Sequence, residues 1–155
     1  MLGMEAGMET KKKLVAEALE ALLADTYVLY LKTHNFHWNI TGPFFTSLHA
    51  LFETQYLELF AAVDEIAERI RSLGFVAPGT TKKYNALANL KEVEGIPSAT
   101  EMVVLLAKDH RLIDKTAYRV FAAAEAANDQ ATIELVTRRM QVHEKIAWML
   151  ESQLG

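Results

Sequence analysis

The chain has 155 residues, no cysteine, 16 Lys or Arg against 20 Asp or Glu, and 51% hydrophobic residues. That length suits one domain with a sizeable core, and the composition is that of an ordinary globular protein. Disulfides and thiolate metal sites are excluded, no run of about 18 apolar residues is present to span a membrane, and a formal net charge of −4 argues against a surface built mainly to hold nucleic acid, which needs basic density to displace counterions.

Three prolines and seven glycines punctuate long Ala/Leu/Glu-rich tracts, which predicts an all-α fold. Residues 1–9 read as a flexible tail without the apolar stretch of a secretion signal, and residues 10–155 as one domain. The lack of cysteine suits the cytoplasm. The first helix is expected from about Thr10 to Trp38, with Leu19, Leu22, Thr26, Leu29 and Thr33 at helical spacing. The second opens near Pro43, where a missing N–H costs nothing, and stops at "SLGF", where Gly74 takes the left-handed cap position. The link that follows is long for a structureless connection, and "YNALANLKEV" within it is expected to form a short helix across the bundle. The third long helix begins at "SATE", a capping box of Ser98 and Glu101, and runs to about Ala127. Asn128 and Asp129 break it and cap the fourth, in which Ile133, Val136, Met140, His143, Ala147 and Leu150 form the seam of a packed bundle.

The chemistry concentrates in "HNFHWNITGPFFTSLH", which holds three of the five histidines. On the second helix His49, Glu53, Asp64 and Glu68 fall within an arc of about 100°, with Tyr56, Leu57 and Phe60 between the polar ends. His49 and Asp64 are about 22 Å apart along a straight helix, too far for one metal ion. An antiparallel copy of the same helix removes the difficulty. A two-fold axis between Glu58 and Leu59 sets His49 opposite Glu68, Glu53 opposite Asp64 and Leu57 opposite Phe60. The surface is self-complementary and generates two equal sites, each drawn from both chains. His37, at the end of the first helix, completes a set of imidazoles and carboxylates that suits Fe(II), Mn(II) or Zn(II).

Taken singly, each of these residues is more often a solvated or hydrogen-bonded side chain. The acids at 64 and 68 have Arg69 and Arg71 nearby and suit an ordinary helix surface. His34 is expected to support His37 or face the core, and His110 and His143 to be structural. The palindromic stripe raises the metal reading above these alternatives. A di-iron centre inside one bundle usually employs Glu-x-x-His motifs, yet the residues three before the histidines are Leu31, His34, Thr46, Ala107 and Met140, none of them Glu.

The stretch "THNFHWNITGPFFTSLHALFETQ" followed by "DEIAERI" resembles the Dps family, the mini-ferritins named for DNA-binding proteins of starved cells, and the likeness runs from about Lys11 to Leu154. The resemblance implies a ferritin-like four-helix bundle with a short helix in the link between the second and third long helices. It implies a hollow shell of twelve copies, with iron sites at two-fold interfaces. His37 and His49 would come from one subunit and Asp64 and Glu68 from its partner. Glu53 stands where many members carry Asp. Trp38 matches a family tryptophan beside the iron centre and is expected to donate an electron to oxidising intermediates. The implied activity is that of a ferroxidase: oxidation of Fe(II) to Fe(III), with hydrogen peroxide preferred over dioxygen, mineral storage in the cavity, and protection against oxidative stress. Zinc is an alternative occupant of the same site. Glu125, Asp129 and Glu134 are expected to line the pores by which iron enters; a solvated acidic turn is the competing reading.

Family DNA binding often depends on mobile basic tails. Here the only basic cluster, Lys11, Lys12 and Lys13, follows Glu5 and Glu9, and the chain ends with its last helix. A twelve-copy shell carries about −48 formal charge, which opposes phosphate. Weak or absent DNA binding is therefore expected. The competing functions are an architectural nucleoid protein that condenses DNA, and a helical shell with vestigial sites that binds zinc.

Overall fold

The computed structural model describes residues 2–155. Five helices follow one another: α1 (Leu2–Asn39), α2 (Phe45–Ser72), α3 (Thr81–Leu87), α4 (Ala99–Ala126) and α5 (Gln130–Glu151). No strand occurs among the described residues. The fold is the all-α bundle expected, with four long helices and a short one in the link.

The ends of the helices follow local chemistry. Gly74, at φ +97°, closes α2: its N–H donates to the Arg71 carbonyl at 3.0 Å and that of Phe75 to Ile70 at 3.2 Å. That is the paired-bond stop which favours glycine. Ser98 and Glu101 form the full reciprocal capping box of α4. Asn128, at φ +55°, turns the chain, and the Asp129 carboxylate accepts from Thr132 N–H at 3.1 Å to cap α5.

Two boundaries differ from expectation. Residues 2–9 continue α1, where a flexible tail was expected; Met1 lies outside the described residues. Leu2, Met4, Glu5, Ala6, Met8 and Glu9 are good helix formers that extend an existing helix against the modest cost of Gly3 and Gly7. Residues 5–14 are nonetheless all exposed, so this first part of the helix buries little within the chain. The short helix begins earlier and ends earlier than "YNALANLKEV". Thr80 caps it by accepting from Lys83 N–H at 3.3 Å. Asp25 of α1 ends it by drawing off the next amides. Its Oδ1 accepts from the N–H groups of Asn89 at 2.6 Å and Leu90 at 3.1 Å, while Oδ2 accepts from Asn89 Nδ2 and from Thr116 of α4.

Polar pairs record the topology. Lys32 meets Asp109 and Asp25 meets Thr116, so a step back along α1 is a step forward along α4. His37 meets His49 and Tyr30 meets Tyr56, so α1 and α2 are antiparallel as well. Consequently α2 and α4 run parallel, and the link between them must traverse the length of the bundle. Glu58, Glu65 and Arg69 of α2 pair with Arg139, Arg138 and Asp129 of α5, which makes that contact antiparallel.

The core is filled by Leu19, Leu22 and Leu29 of α1, Phe52, Leu59 and Ile66 of α2, Leu106 and Ile113 of α4, and Val136 and Leu150 of α5, all buried. Each contributes about 1.5–3 kcal/mol by leaving water. Of the expected α5 seam, Val136, His143, Ala147 and Leu150 are buried and Ile133 and Met140 half-buried. His143 is wholly enclosed and lies against His110 and Arg139.

Candidate metal centre

The turn after α1 brings the segment's histidines together. Ile40 N–H still bonds to the Phe36 carbonyl, after which Gly42, at φ +107°, reverses the chain into α2. His37 and His49 then lie ring on ring, with centroids 3.8 Å apart and planes 17° from parallel. Nδ1 of each ring is 2.8 Å from the main-chain carbonyl oxygen of the other residue. A carbonyl only accepts, so both Nδ1 atoms carry hydrogen. In the neutral rings both Nε2 lone pairs are therefore available. Fixing a histidine's tautomer through its second nitrogen is how metal-ligating imidazoles are commonly held. Phe45 stacks on the outer side of His49 at 5.0 Å, and Tyr56 presents its edge to His37 at 5.1 Å.

His34 is placed between Trp38, 3.9 Å away, and Tyr56, 4.1 Å away. Burial, and secondarily the neighbouring His37, lowers its pKa. It supports the aromatic wall of the pair. Trp38 is 59% exposed at the rim.

Glu53, Asp64 and Glu68 lie on the exposed face of α2. The neighbouring arginines are engaged elsewhere. Arg69, the obvious partner, donates from Nη2 to Asp129 at 2.7 Å and from Nε to Thr132 at 2.8 Å. Arg71 donates to the Phe75 carbonyl. The other α2 acids, Glu58 and Glu65, are matched to Arg139 and Arg138. Among the described residues, no ion pair neutralises Glu53, Asp64 or Glu68. Between them Leu57 is 54% exposed and Phe60 62% exposed. Within one chain, the described residues gather no cluster of three or more His, Cys, Asp or Glu able to hold a metal ion.

The chain matches the ferritin-like domain over residues 16–155. It is 36% identical over 143 residues to DNA protection during starvation protein 2 of Bacillus anthracis, covering 92% of this chain and 98% of that protein. The chain belongs to the Dps family. It is also 44% identical over 140 residues to an uncharacterized low temperature-induced protein of Nostoc sp., covering 89% of this chain and 78% of the relative. The crystal structure of the Dps protein of Vibrio cholerae, described as a member of a broad superfamily of ferritin-like diiron-carboxylate proteins, superposes with a TM-score of 0.91 at 31% identity, covering 95% of this chain and 92% of that one.

The remaining sequence-level candidates of this Dps chain have varied settings. Glu125 and Glu134 are exposed on either side of the α4–α5 turn. Asp129 is half-buried, and its carboxylate is engaged by Arg69 and by both the N–H and the hydroxyl of Thr132. His110 and His143 are buried core residues, as expected. Sequence reasoning missed the mutual His37–His49 lock, which uses main-chain carbonyls and so leaves no mark in residue types. It also missed the Glu58, Arg139, His143 network. Its one visible signal was Arg139 and His143 spaced one turn apart on the seam of α5. No helix of the described chain is long and apolar enough to cross a membrane.

Proposed function

We propose that this Dps protein oxidises Fe(II) to Fe(III) at sites shared between two copies of the chain and stores the product as mineral inside a hollow shell of twelve copies. The observation that carries the proposal is the conjunction on one face of two Nε2 lone pairs held ready by mutual Nδ1 bonds and three carboxylates without cationic partners. His37, His49 and Glu53 of one copy would face Asp64 and Glu68 of the next, with the exposed Leu57 and Phe60 sealing the contact between the two sites. Imidazoles hold Fe(II) without excess negative charge, and carboxylates favour the harder Fe(III). Zinc suits the same donors and would compete.

Iron is the substrate. Two Fe(II) ions give one electron each to hydrogen peroxide, the O–O bond breaks, and with two protons the oxygen leaves as water. Peroxide rather than dioxygen is the proposed oxidant, so that storage also removes a damaging oxidant. Trp38, beside His37, supplies an electron when oxidation goes astray. Uptake runs through acidic pores with Glu125 and Glu134 presented to iron and Asp129 shaping the turn. The diiron-carboxylate description of the Vibrio cholerae relative supports this chemistry. The test is anaerobic loading with Fe(II) followed by peroxide, on wild type and on His37→Ala/Asp64→Ala. Fast Fe(III) formation in the first and slow formation in the second is expected; equal rates end the ferroxidase reading.

The names of the starvation-protein relatives supply the second reading, DNA protection by binding. The charge argues against it. Lys11, Lys12 and Lys13 are exposed, but Lys13 lies 3.8 Å from Glu17 and the chain is acidic overall. Absent or weak retardation of DNA in a gel at physiological salt is expected; tight, salt-resistant binding would favour the nucleoid role.

A further inference from the structure

Four of the chain's five tyrosines stand in one string that begins at the histidine pair. Tyr56 stacks on His34 at 4.1 Å between ring centres, and Trp38 lies tilted against it at 3.9 Å. Tyr56 meets Tyr30 at 6.3 Å, Tyr30 meets Tyr27 at 6.0 Å, and Tyr27 meets Tyr84 at 4.6 Å. Helical register builds the string: Tyr27, Tyr30 and His34 are spaced by three and four on α1 and share a face. Tyr56 of α2 extends it at one end and Tyr84 of α3 at the other. Tyr118 stands apart, packed on Phe121 and 63% exposed.

Indole and phenol rings are among the side chains that most readily lose one electron, and transfer between rings weakens exponentially with the gap. Rings in near contact therefore form the preferred route. We propose that this string carries stray oxidising equivalents from the iron site through Trp38 or Tyr56, Tyr30 and Tyr27 to Tyr84, with His34 as a bridge that is not itself oxidised. The proposal rests on the iron-oxidising function proposed above. The oxidant is hydroxyl radical, formed when a lone Fe(II) gives one electron to peroxide and the O–O bond breaks, with hydroxide as the other product. The radical takes one electron from Trp38 or Tyr56 and one proton from solvent, and becomes water. Each ring is refilled by an electron from the next. Tyr84 alone ends oxidised: its O–H bond breaks, the proton passes to solvent to replace the one consumed, and a neutral phenoxyl radical remains. Burial, and then Tyr27, raises the Tyr84 pKa, so the phenol holds its proton until that step.

Phenylalanine preserves the packing of such rings and removes the easily oxidised phenol, which makes the test direct. The assembled protein is loaded anaerobically with Fe(II) and given limiting peroxide. Fe(III) is followed by absorbance, phenoxyl radical by electron paramagnetic resonance, and oxidised side chains by peptide mass spectrometry. In wild type, Tyr84, at 8% exposure, is expected to be oxidised ahead of Tyr118, at 63%. A freely diffusing radical would give the reverse order. In Tyr30→Phe, Tyr84 oxidation is expected to fall to the iron-free background while products on Trp38 and Tyr56 rise and the Fe(III) yield is unchanged. Tyr27→Phe interrupts the same route and serves if Tyr30→Phe does not assemble. Fe(III) formation with Tyr118 oxidised first, or with Tyr84 oxidation persisting in the variants, overturns the relay alone. Absence of Fe(III) in wild type takes the ferroxidase reading down with it.

Discussion

His143 donates its Nδ1 proton to Nδ1 of His110 across 2.9 Å, because Nε2 of His143 already accepts from Arg139 at 3.2 Å. An arginine has only protons to give, so His143 is neutral with its hydrogen on Nδ1. Arg139 is in turn held by both oxygens of Glu58. One ordered chain of hydrogen bonds thus ties α2, α5 and α4 together.

This arrangement makes stability depend on pH. Burial, and then Arg139, brings the His110 pKa down to about 3. Burial, followed by His110 and Arg139, holds His143 well below the usual histidine range. In the unfolded chain both titrate near their ordinary value of about 6.5. Below that pH the unfolded chain binds more protons than the folded one. The contribution is therefore complete above about pH 6.5 and shrinks as pH falls towards the folded values, by up to about 1.4 kcal/mol per pH unit for each histidine. Denaturant midpoints measured from neutral to mildly acid pH should fall in wild type and fall less steeply in His110→Leu/His143→Leu. Identical slopes would show that the pair does not titrate this way.

The proposed site, drawn from two chains, predicts complementation. His49→Ala alone and Glu68→Ala alone should each oxidise iron slowly. When the two variant chains are assembled together at equal amounts, about a quarter of the sites should recover an intact His49 from one chain and an intact Glu68 from the other, because a two-fold contact pairs different residues across it. Fe(III) formation in the mixture should exceed that of either variant. A mixture no faster than its components means that the ligands come from one chain.

The apolar middle of α2 should behave as a contact surface. Phe60 is 62% exposed and Leu57 54% exposed, and each gains about 1.5–3 kcal/mol if a second copy covers it. Phe60→Asp places an unpaired charge there and should shift the assembly to smaller species in sedimentation velocity, with unchanged helical content by circular dichroism. An intact assembly would remove this face from the interface.

Lys32 and Asp109 form a buried ion pair 2.6 Å long, linking α1 to α4. Burial raises the Asp109 pKa and Lys32 pulls it back only in part. Lys32→Met strands the carboxylate and should cost about 3–5 kcal/mol, whereas Lys32→Met/Asp109→Leu should recover much of the loss. Thermal unfolding of the two variants checks this; a double variant no more stable than the single would point to packing rather than charge as the origin.

The sequence by itself determined the elements and the polar face of α2. Apolar spacing, Gly74, the Ser98/Glu101 box and the Asn128/Asp129 break act within a few residues of chain, so helix ends are written locally. The single face shared by His49, Glu53, Asp64 and Glu68 likewise follows from helical period alone. Tertiary structure decided what those local signals leave open. It stopped α3 early because Asp25, distant in sequence, takes the Asn89 and Leu90 amides. It committed Arg69 to Asp129 rather than to its sequence neighbour Glu68, and it locked His37 to His49 through main-chain oxygens. A long side chain's partner is chosen by which helices pack together, and a carbonyl is the same in every residue. Neither can be read from residue identity until the chain has folded.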